Sequence, residues 1–312
     1  MYLVCGEALF DFFSENDVSG QVSKMNYKAI AGGSPFNVAV GLRRLGIDVA
    51  LFAGLSNDYL GRRLQQVLQD EGVRPDYLLD FDAPTTLAMV AVGADGSPQY
   101  SFRGEGCADR QLLPAHLPEL SADVRGLHIG SFSLVVQPIA DTLLALVRRE
   151  SGKRLISLDP NVRLNPEPNI ELWRERIGAL VEHADLIKVS DEDLNLLYPQ
   201  CNPQNVIEGW LQQRCQLVFL TRGGQGATVF SRHHGSWSVP ACPVVMADTV
   251  GAGDTFQAAL IAWLTEQGLD SIEGLQSLSR EQIDAQLQFA VAAAALTCGK
   301  TGPDLPYRQQ LR

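Results

Sequence analysis

The chain has 312 residues, 46% of them hydrophobic and 20% charged, enough to bury a large core as one α/β domain or two smaller ones and unlike a disordered or fibrous chain. Its net charge of -11 is the opposite of the basic surface that sequence-independent nucleic-acid or anionic-membrane binding requires, so any phosphate must be held locally. The six cysteines include no Cys-x-x-Cys pair, Met1 to Gly6 carries no basic segment, and no apolar run approaches the ~20 residues of a membrane span. These features predict a reduced, cytoplasmic chain that binds neither nucleic acid nor membrane.

In chain order, residues 2–5 read as a short buried strand, followed by Glu7 and Asp11. Carboxylates at the exit of a first strand are well placed to accept the hydroxyls of a polyol. Asp11, among Phe10, Phe12 and Phe13, is read that way; Glu7 is read as a solvated loop acid. Residues 14–27 are polar, with Asn16-Asp17 and Ser19-Gly20 as turn signals around an exposed strand. Ala31-Gly32-Gly33-Ser34-Pro35-Phe36-Asn37 leads into a helix over about 35–45, closed by Gly46, with proline and glycine at their expected ends. The paired glycines either let a ligand touch backbone or form only a turn. Residues 48–55 and 58–72 repeat strand then helix, with Leu60, Leu64, Val67 and Leu68 on one face, which predicts βαβ units and a parallel sheet. Residues 85–92 and 97–103 bracket the hairpin signal Ala94-Asp95-Gly96 and predict a flap over the sheet's edge. Arg103 and Asp109 follow, each with a surface ion pair as its default role.

Alternation resumes with strand 126–130, helix 138–150, strand 154–158, helix 170–183 and strand 186–189, each strand nearly all apolar as strands covered on both faces are. Asp159-Pro160-Asn161-Val162-Arg163 falls just after one strand, at the carboxyl edge where open α/β sheets bind ligands. Lys188-Val189-Ser190-Asp191-Glu192-Asp193 falls after the next, and its acids suit either the first turn of a helix or magnesium-bound waters. Strand 217–220 runs into Thr221-Arg222-Gly223-Gly224-Gln225-Gly226, glycines that either cradle phosphate or turn a hairpin into 227–230. His233 and His234 are read as solvated. Residues 283–297 form a long alanine-rich helix that must pack tightly.

The chemistry concentrates in Asp248-Thr249-Val250-Gly251-Ala252-Gly253-Asp254-Thr255-Phe256, ahead of the apolar run 257–264. Two glycines around Ala252 at the mouth of a helix direct several peptide N–H groups at one spot, an anion site. Asp254 is then placed to take a proton from a hydroxyl while those N–H groups hold a phosphoryl group. Alternatively it caps the helix, since Asp254 and Gln257 have capping-box spacing. Gly299-Lys300-Thr301 is like the end of a P-loop, but Ala294 stands where a glycine is required and Pro303 and Pro306 preclude the helix that should follow.

Asp248-Thr249-Val250-Gly251-Ala252-Gly253-Asp254, together with Gly32-Gly33-x-x-x-Asn37 and Ala39, resembles the two signatures of the ribokinase family of carbohydrate kinases, also called the phosphofructokinase B family. The resemblance runs from Glu7 to Pro306. It implies a single three-layer α/β/α domain with a mostly parallel central sheet and a small β-sheet lid, the lid insertions falling at about 14–30 and 85–104. It also implies an ATP-dependent kinase with Mg2+ and, in some relatives, K+. By the same resemblance Asp254 is the base, and backbone N–H groups of Gly251, Ala252 and Gly253 form the anion hole. Asp11, Gly32, Gly33 and Asn37 bind sugar with Arg103 and Arg163, while Lys188, Ser190, Thr221, Gly223, Gly226 and Gly302 lie along ATP. Asp193 stands where many members carry a glutamate near the metal, and Asp248 and Val250 flank the monovalent-cation site. Gly6-Glu7-Ala8-Leu9-x-Asp11 and Gly130-Ser131-Phe132-Ser133 are most similar to bacterial fructokinases, which implies D-fructose as acceptor. Asp159-x-Asn161-x-Arg163 is shared with 2-keto-3-deoxygluconate kinases, which use arginines on the substrate carboxylate; nucleosides are a more distant alternative. A sugar sensor on the same scaffold would have no need of Asp254. Lid strands of this family often pair between subunits, which implies a homodimer.

Overall fold

The computed structural model describes residues 1–15, 23–92 and 98–311. Among these, nine strands form the main sheet in the order β13-β12-β11-β10-β9-β8-β1-β4-β5. Five of them are short, buried and almost wholly apolar: β1 (Tyr2–Cys5), β8 (Gly126–Gly130), β9 (Leu155–Asp159), β10 (Leu186–Ser190) and β11 (Leu217–Thr221). All pair in parallel with their neighbours in that group, and β4 (Val49–Ser56) and β5 (Leu78–Phe81) extend the parallel run. β12 (Ala227–Ser231) and β13 (Gly235–Val239) close the far edge as antiparallel strands.

Side-chain alternation along β1 divides the core. Tyr2 and Val4 face α1 (Ser34–Arg44), α2 (Tyr59–Asp70), α7 (Ala252–Glu266), α8 (Ile272–Gln276) and α9 (Arg280–Cys298). Leu3 and Cys5 face α3 (Ile139–Glu150), α4 (Ile170–Val181), α5 (Asp191–Leu197) and α6 (Pro203–Leu211). Helices therefore cover both faces, and the parallel strands point their carboxyl ends at one edge.

A second sheet, in the order β3-β2-β6-β7, stands apart from the first. It joins β2 (Leu9–Glu15), β3 (Asn26–Gly32), β6 (Leu87–Val92) and β7 (Pro98–Arg103). β2 starts at Leu9, well before residue 14, so Asp11 belongs to this sheet and not to the exit of β1. The turn signals Asn16-Asp17, Ser19-Gly20 and Ala94-Asp95-Gly96 lie outside the described residues. The anchors of the second sheet are polar and local: Asp58, which caps α2, accepts from the backbone and hydroxyl of Thr85, and Asp109 accepts from Thr86 Oγ1 at 2.6 Å. Asp109 is buried there, which overturns its reading as half of a surface ion pair. Sequence patterning also passed over β5 and β13, none of whose residues is buried, and the short helices α6 and α8.

Candidate active site

α7 opens where the carboxyl edge of the sheet meets the second sheet. Its N-cap, Gly251, has φ +78°, a left-handed conformation that glycine adopts without strain, and a methyl there would press on Pro303. Of the three N–H groups expected to form the anion hole, that of Ala252 donates to the Thr249 carbonyl at 3.2 Å, which leaves those of Gly251 and Gly253 without a backbone partner among the described residues. Asp254 is buried in that turn, and neither of its oxygens caps the helix. Oδ1 accepts from Ser34 Oγ at 2.6 Å and Oδ2 from Asn37 Nδ2 at 2.8 Å. Gln257 turns the other way and donates to Ser157 Oγ at 2.7 Å. The capping-box alternative for Asp254 and Gln257 is therefore excluded.

Asp11 reaches the same point from β2. Its carboxylate lies so close to Gly32 that a methyl there would stand 2.5 Å from Oδ2. Burial and the Asp254 charge push the Asp11 carboxyl up to about 6, and Arg163 pulls it back down. Asp11, Asp254 and Arg163 therefore sense one another across the site. Beneath Gly33, Glu7 is 1% exposed and accepts from Ser133 Oγ. Burial raises its carboxyl to about 7 against the pull of Ser133 and Ser131. Glu7 is thus a buried support of the glycine loop and not a solvated acid.

On the other side of Asp254, Lys188 Nζ donates to Asp159 Oδ2 at 2.8 Å, both side chains buried. A methyl at Gly253 would lie 2.9 Å from that ammonium, so Lys188 abuts the N–H nest. Burial alone would lower the Lys188 ammonium, but Asp159, Asp193 and Asp254 more than offset it and hold it above its ordinary value. Asp159 is itself raised to about 6, by burial first and then by Asp193 and Asp254, against the opposing pull of Lys188. Asp193 and Asp254 contribute to both shifts, because three carboxylates share a single lysine.

The sequence matches the pfkB family of carbohydrate kinases over residues 2–310. The chain belongs to that family. It is 35% identical over 283 residues to a fructokinase of Rhizobium leguminosarum bv. trifolii, covering 91% of this chain and 85% of the relative. Among solved structures, a fructokinase from Xylella fastidiosa with bound ATP superposes with a TM-score of 0.90 at 28% identity, covering 99% of this chain and 96% of that one. A double-mutant fructokinase from Vibrio cholerae O395, with fructose, ADP and potassium ion bound, gives a TM-score of 0.83 at 27% identity, covering 100% and 97%. The fold of this carbohydrate kinase is accordingly the ribokinase-like one, a large mostly parallel sheet between helices with a small separate sheet.

The remaining sequence-derived positions of the kinase fall along the same edge. Thr221 ends β11; Gly223 stands in open space, whereas a methyl at Gly226 would collide with the carbonyl of Val239, so that glycine is required by packing. Gly302 donates its N–H to Asp248 Oδ2 at 2.9 Å, and Asp248 Oδ1 accepts from Thr249 and Val250. Asp193 accepts from the backbone of Val162 and closes a capping box with Ser190, satisfying the helix-start alternative. Arg103 and Arg163 are both exposed, Arg103 at the end of β7. Ser34, Glu7 and Asp159 were not singled out as site residues. Ser34 lies inside the Gly32-to-Asn37 motif and Asp159 ends an apolar strand, so position was the available signal.

Proposed function

We propose that this kinase transfers the γ-phosphoryl group of ATP to a hydroxyl of D-fructose, with Asp254 as the base. The observation that carries the reading is the situation of Asp254, joined to Ser34 and Asn37 on one side and adjoining the Gly251–Gly253 nest on the other. Each carboxylate oxygen keeps a lone pair for a sugar hydroxyl. As the hydroxyl oxygen bonds to the γ-phosphorus, its proton passes to Asp254, the bond to the β–γ bridging oxygen breaks, and ADP leaves with that electron pair. Backbone N–H groups of the nest and the Lys188 ammonium stabilise the phosphoryl oxygens in passage. Asp11, the Gly32-Gly33 backbone, Asn37, Arg103 and Arg163 orient the sugar. Ser190, Thr221, Gly223, Gly226 and Gly302 line the nucleotide. The second sheet acts as the lid that keeps water, a competing acceptor, away from the phosphoryl group.

Among the described residues no cluster of three or more His, Cys, Asp or Glu side chains could hold a metal, so Mg2+ in this reading enters with the nucleotide. Asp159 Oδ1 is a buried acceptor without a protein partner, and with Asp193 it forms an acidic wall suited to a water-bound cation. The ion's part is to offset phosphate charge. A monovalent cation such as K+ beside Asp248 and Val250, pairing of two copies through the lid, and a cytoplasmic location complete the proposal. No helix among the described residues is long and apolar enough to cross a membrane.

Coupled ADP release with Mg-ATP tests the reading, comparing D-fructose with 2-keto-3-deoxygluconate. Higher kcat/KM on fructose is expected. Preference for the keto acid would turn Arg103 and Arg163 into carboxylate clamps; sugar binding without turnover on any acceptor would favour a sensor.

A further inference from the structure

α7 is buried from Asp254 through Ala262, packed between α1, α9 and the sheet. Apolar contact is non-directional, and with Ala258, Ala259 and Ala262 along it, such packing alone does little to resist rotation about the helix axis. A slip of one residue would turn Asp254 by about 100°. Something directional must set the register at the catalytic end.

Ser34 and Asn37 hold Asp254 itself, Thr255 Oγ1 pairs with Thr297 Oγ1 at 2.8 Å towards α9, and one further polar chain ties α7 to the sheet. Gln257 Nε2 donates to Ser157 Oγ at 2.7 Å, and Ser157 Oγ lies 3.2 Å from His128 Nδ1. All three residues are 0% exposed. Ser157 Oγ thus accepts from Gln257 and shares a second hydrogen bond with His128 Nδ1, whose donor is set by the imidazole tautomer. Burial first, and the Lys188 charge second, keep this imidazole neutral down to about pH 3. Gln257 lies one helical turn beyond Asp254, and Ser157 lies two residues before Asp159 on the same face of β9. The chain thus connects the turn that bears the base to the strand that bears the Lys188 partner.

We propose that Gln257, Ser157 and His128 form a positioning strut that fixes α7 against β8 and β9 and so aims Asp254 and the N–H nest at the transferring phosphoryl group. The inference rests on the kinase reading of this site and is measured with whichever acceptor the unmodified enzyme turns over, so failure of the fructose assignment and failure of the strut are distinguishable. Gln257 Oε1 and His128 Nε2 have no hydrogen-bond partner, an arrangement unfavourable to stability on its own.

The test is a double-mutant cycle of Gln257→Met and Ser157→Ala, with kcat, both KM values and Tm for each variant. Gln257→Met is expected to keep or raise Tm, hold both KM values within about twofold, and lower kcat roughly 10- to 100-fold through misplacement of the base. Ser157→Ala should lower kcat alike, with a fall in Tm besides because it leaves Gln257 Nε2 and His128 Nδ1 buried without a partner, and the double variant should lose no more kcat than the worse single one, because either change breaks the same chain. Unchanged kcat in a folded Gln257→Met enzyme would overturn the proposal. So would a kcat loss in that enzyme that merely tracks a fall in Tm, or losses that multiply in the double variant.

Discussion

At the scale of single residues, Asp254 and Glu7 are opposite cases. Both are buried carboxylates near the glycine loop, yet Asp254 has donors on both oxygens whereas Glu7 Oε1 has none. Asp254→Asn keeps the shape of the site while removing the proton acceptor, so fructose affinity by calorimetry should be largely retained and kcat should fall by about 10² to 10⁴. Near-normal turnover would remove Asp254 from the mechanism. Glu7 has a folded-state pKa of about 7, raised from 4.5, so the folded protein holds a proton that the unfolded chain has already released. Stability then falls as pH rises from the lower value through the higher one, and levels off above it. The other raised carboxyls, Asp11, Asp109, Asp159 and Asp185, sit at about 6, and His128 and His183, both held below the ordinary imidazole value of 6.5, add stability as pH rises through that value. The Glu7 part is therefore the difference between the unmodified protein and Glu7→Gln, which still accepts from Ser133: in denaturant titrations from pH 6.5 to 8 the unmodified protein should lose about 1 kcal/mol relative to the variant. Residue type could announce Asp254 because it sits in a glycine nest. It could not announce Glu7 or Asp109, whose burial comes from segments far away in sequence, nor His128 and Ser157, each a lone polar residue in an apolar strand.

At the scale of elements, the first turn of α7 is fixed by what glycine leaves out. Gly253→Ala adds a methyl 2.9 Å from Lys188 Nζ within a helix that accepts alanine readily, so the expected change is local. The ammonium must move and the nest narrows. A kcat loss on the order of 100-fold, the scale of one lost oxyanion donor, with little change in Tm, is the expected result, and Gly253→Val should be worse. An unaltered kcat would show that phosphate does not enter the nest. Elements with sustained patterns were legible: β8 was bounded correctly at Gly126 and Gly130, and α9 and α4 were found within a few residues. β5 and β13 are as long as β1 and β8, but none of their residues is buried, and α6 has only Ile207 and Trp210 buried, so none of the three shows a face in the sequence. Their existence is decided by tertiary contact.

At the scale of the whole molecule, the strand order gathers the ends of β1, β8, β9, β10 and β11 at one edge. Residues from 11 to 302 in sequence can therefore share a site, and the alternation of strands and helices was sufficient to anticipate this. The small second sheet was anticipated in kind but not in extent, because β2 looks in sequence like a continuation of β1. With β3 and β7 as its edge strands, that sheet offers unpaired backbone to a second copy. Sedimentation should accordingly give about twice the 34.0 kDa chain mass, and a monomer at assay concentration would refute pairing.

Gly302, whose N–H meets Asp248, also lies beside the second sheet: a methyl there would come within 3.3 Å of Ile30 Cδ1 on β3. In the proposed reading the sugar's cover and the nucleotide's loop are therefore close neighbours. Whichever substrate arrives first and settles its own side should make the second bind more tightly, and thermodynamic reciprocity requires the same factor in either order. Dissociation constants for fructose with and without a non-hydrolysable ATP analogue, and the converse pair, should both reveal that synergy. Gly302→Ala, by wedging the two sides apart, should weaken it more than it weakens either substrate alone.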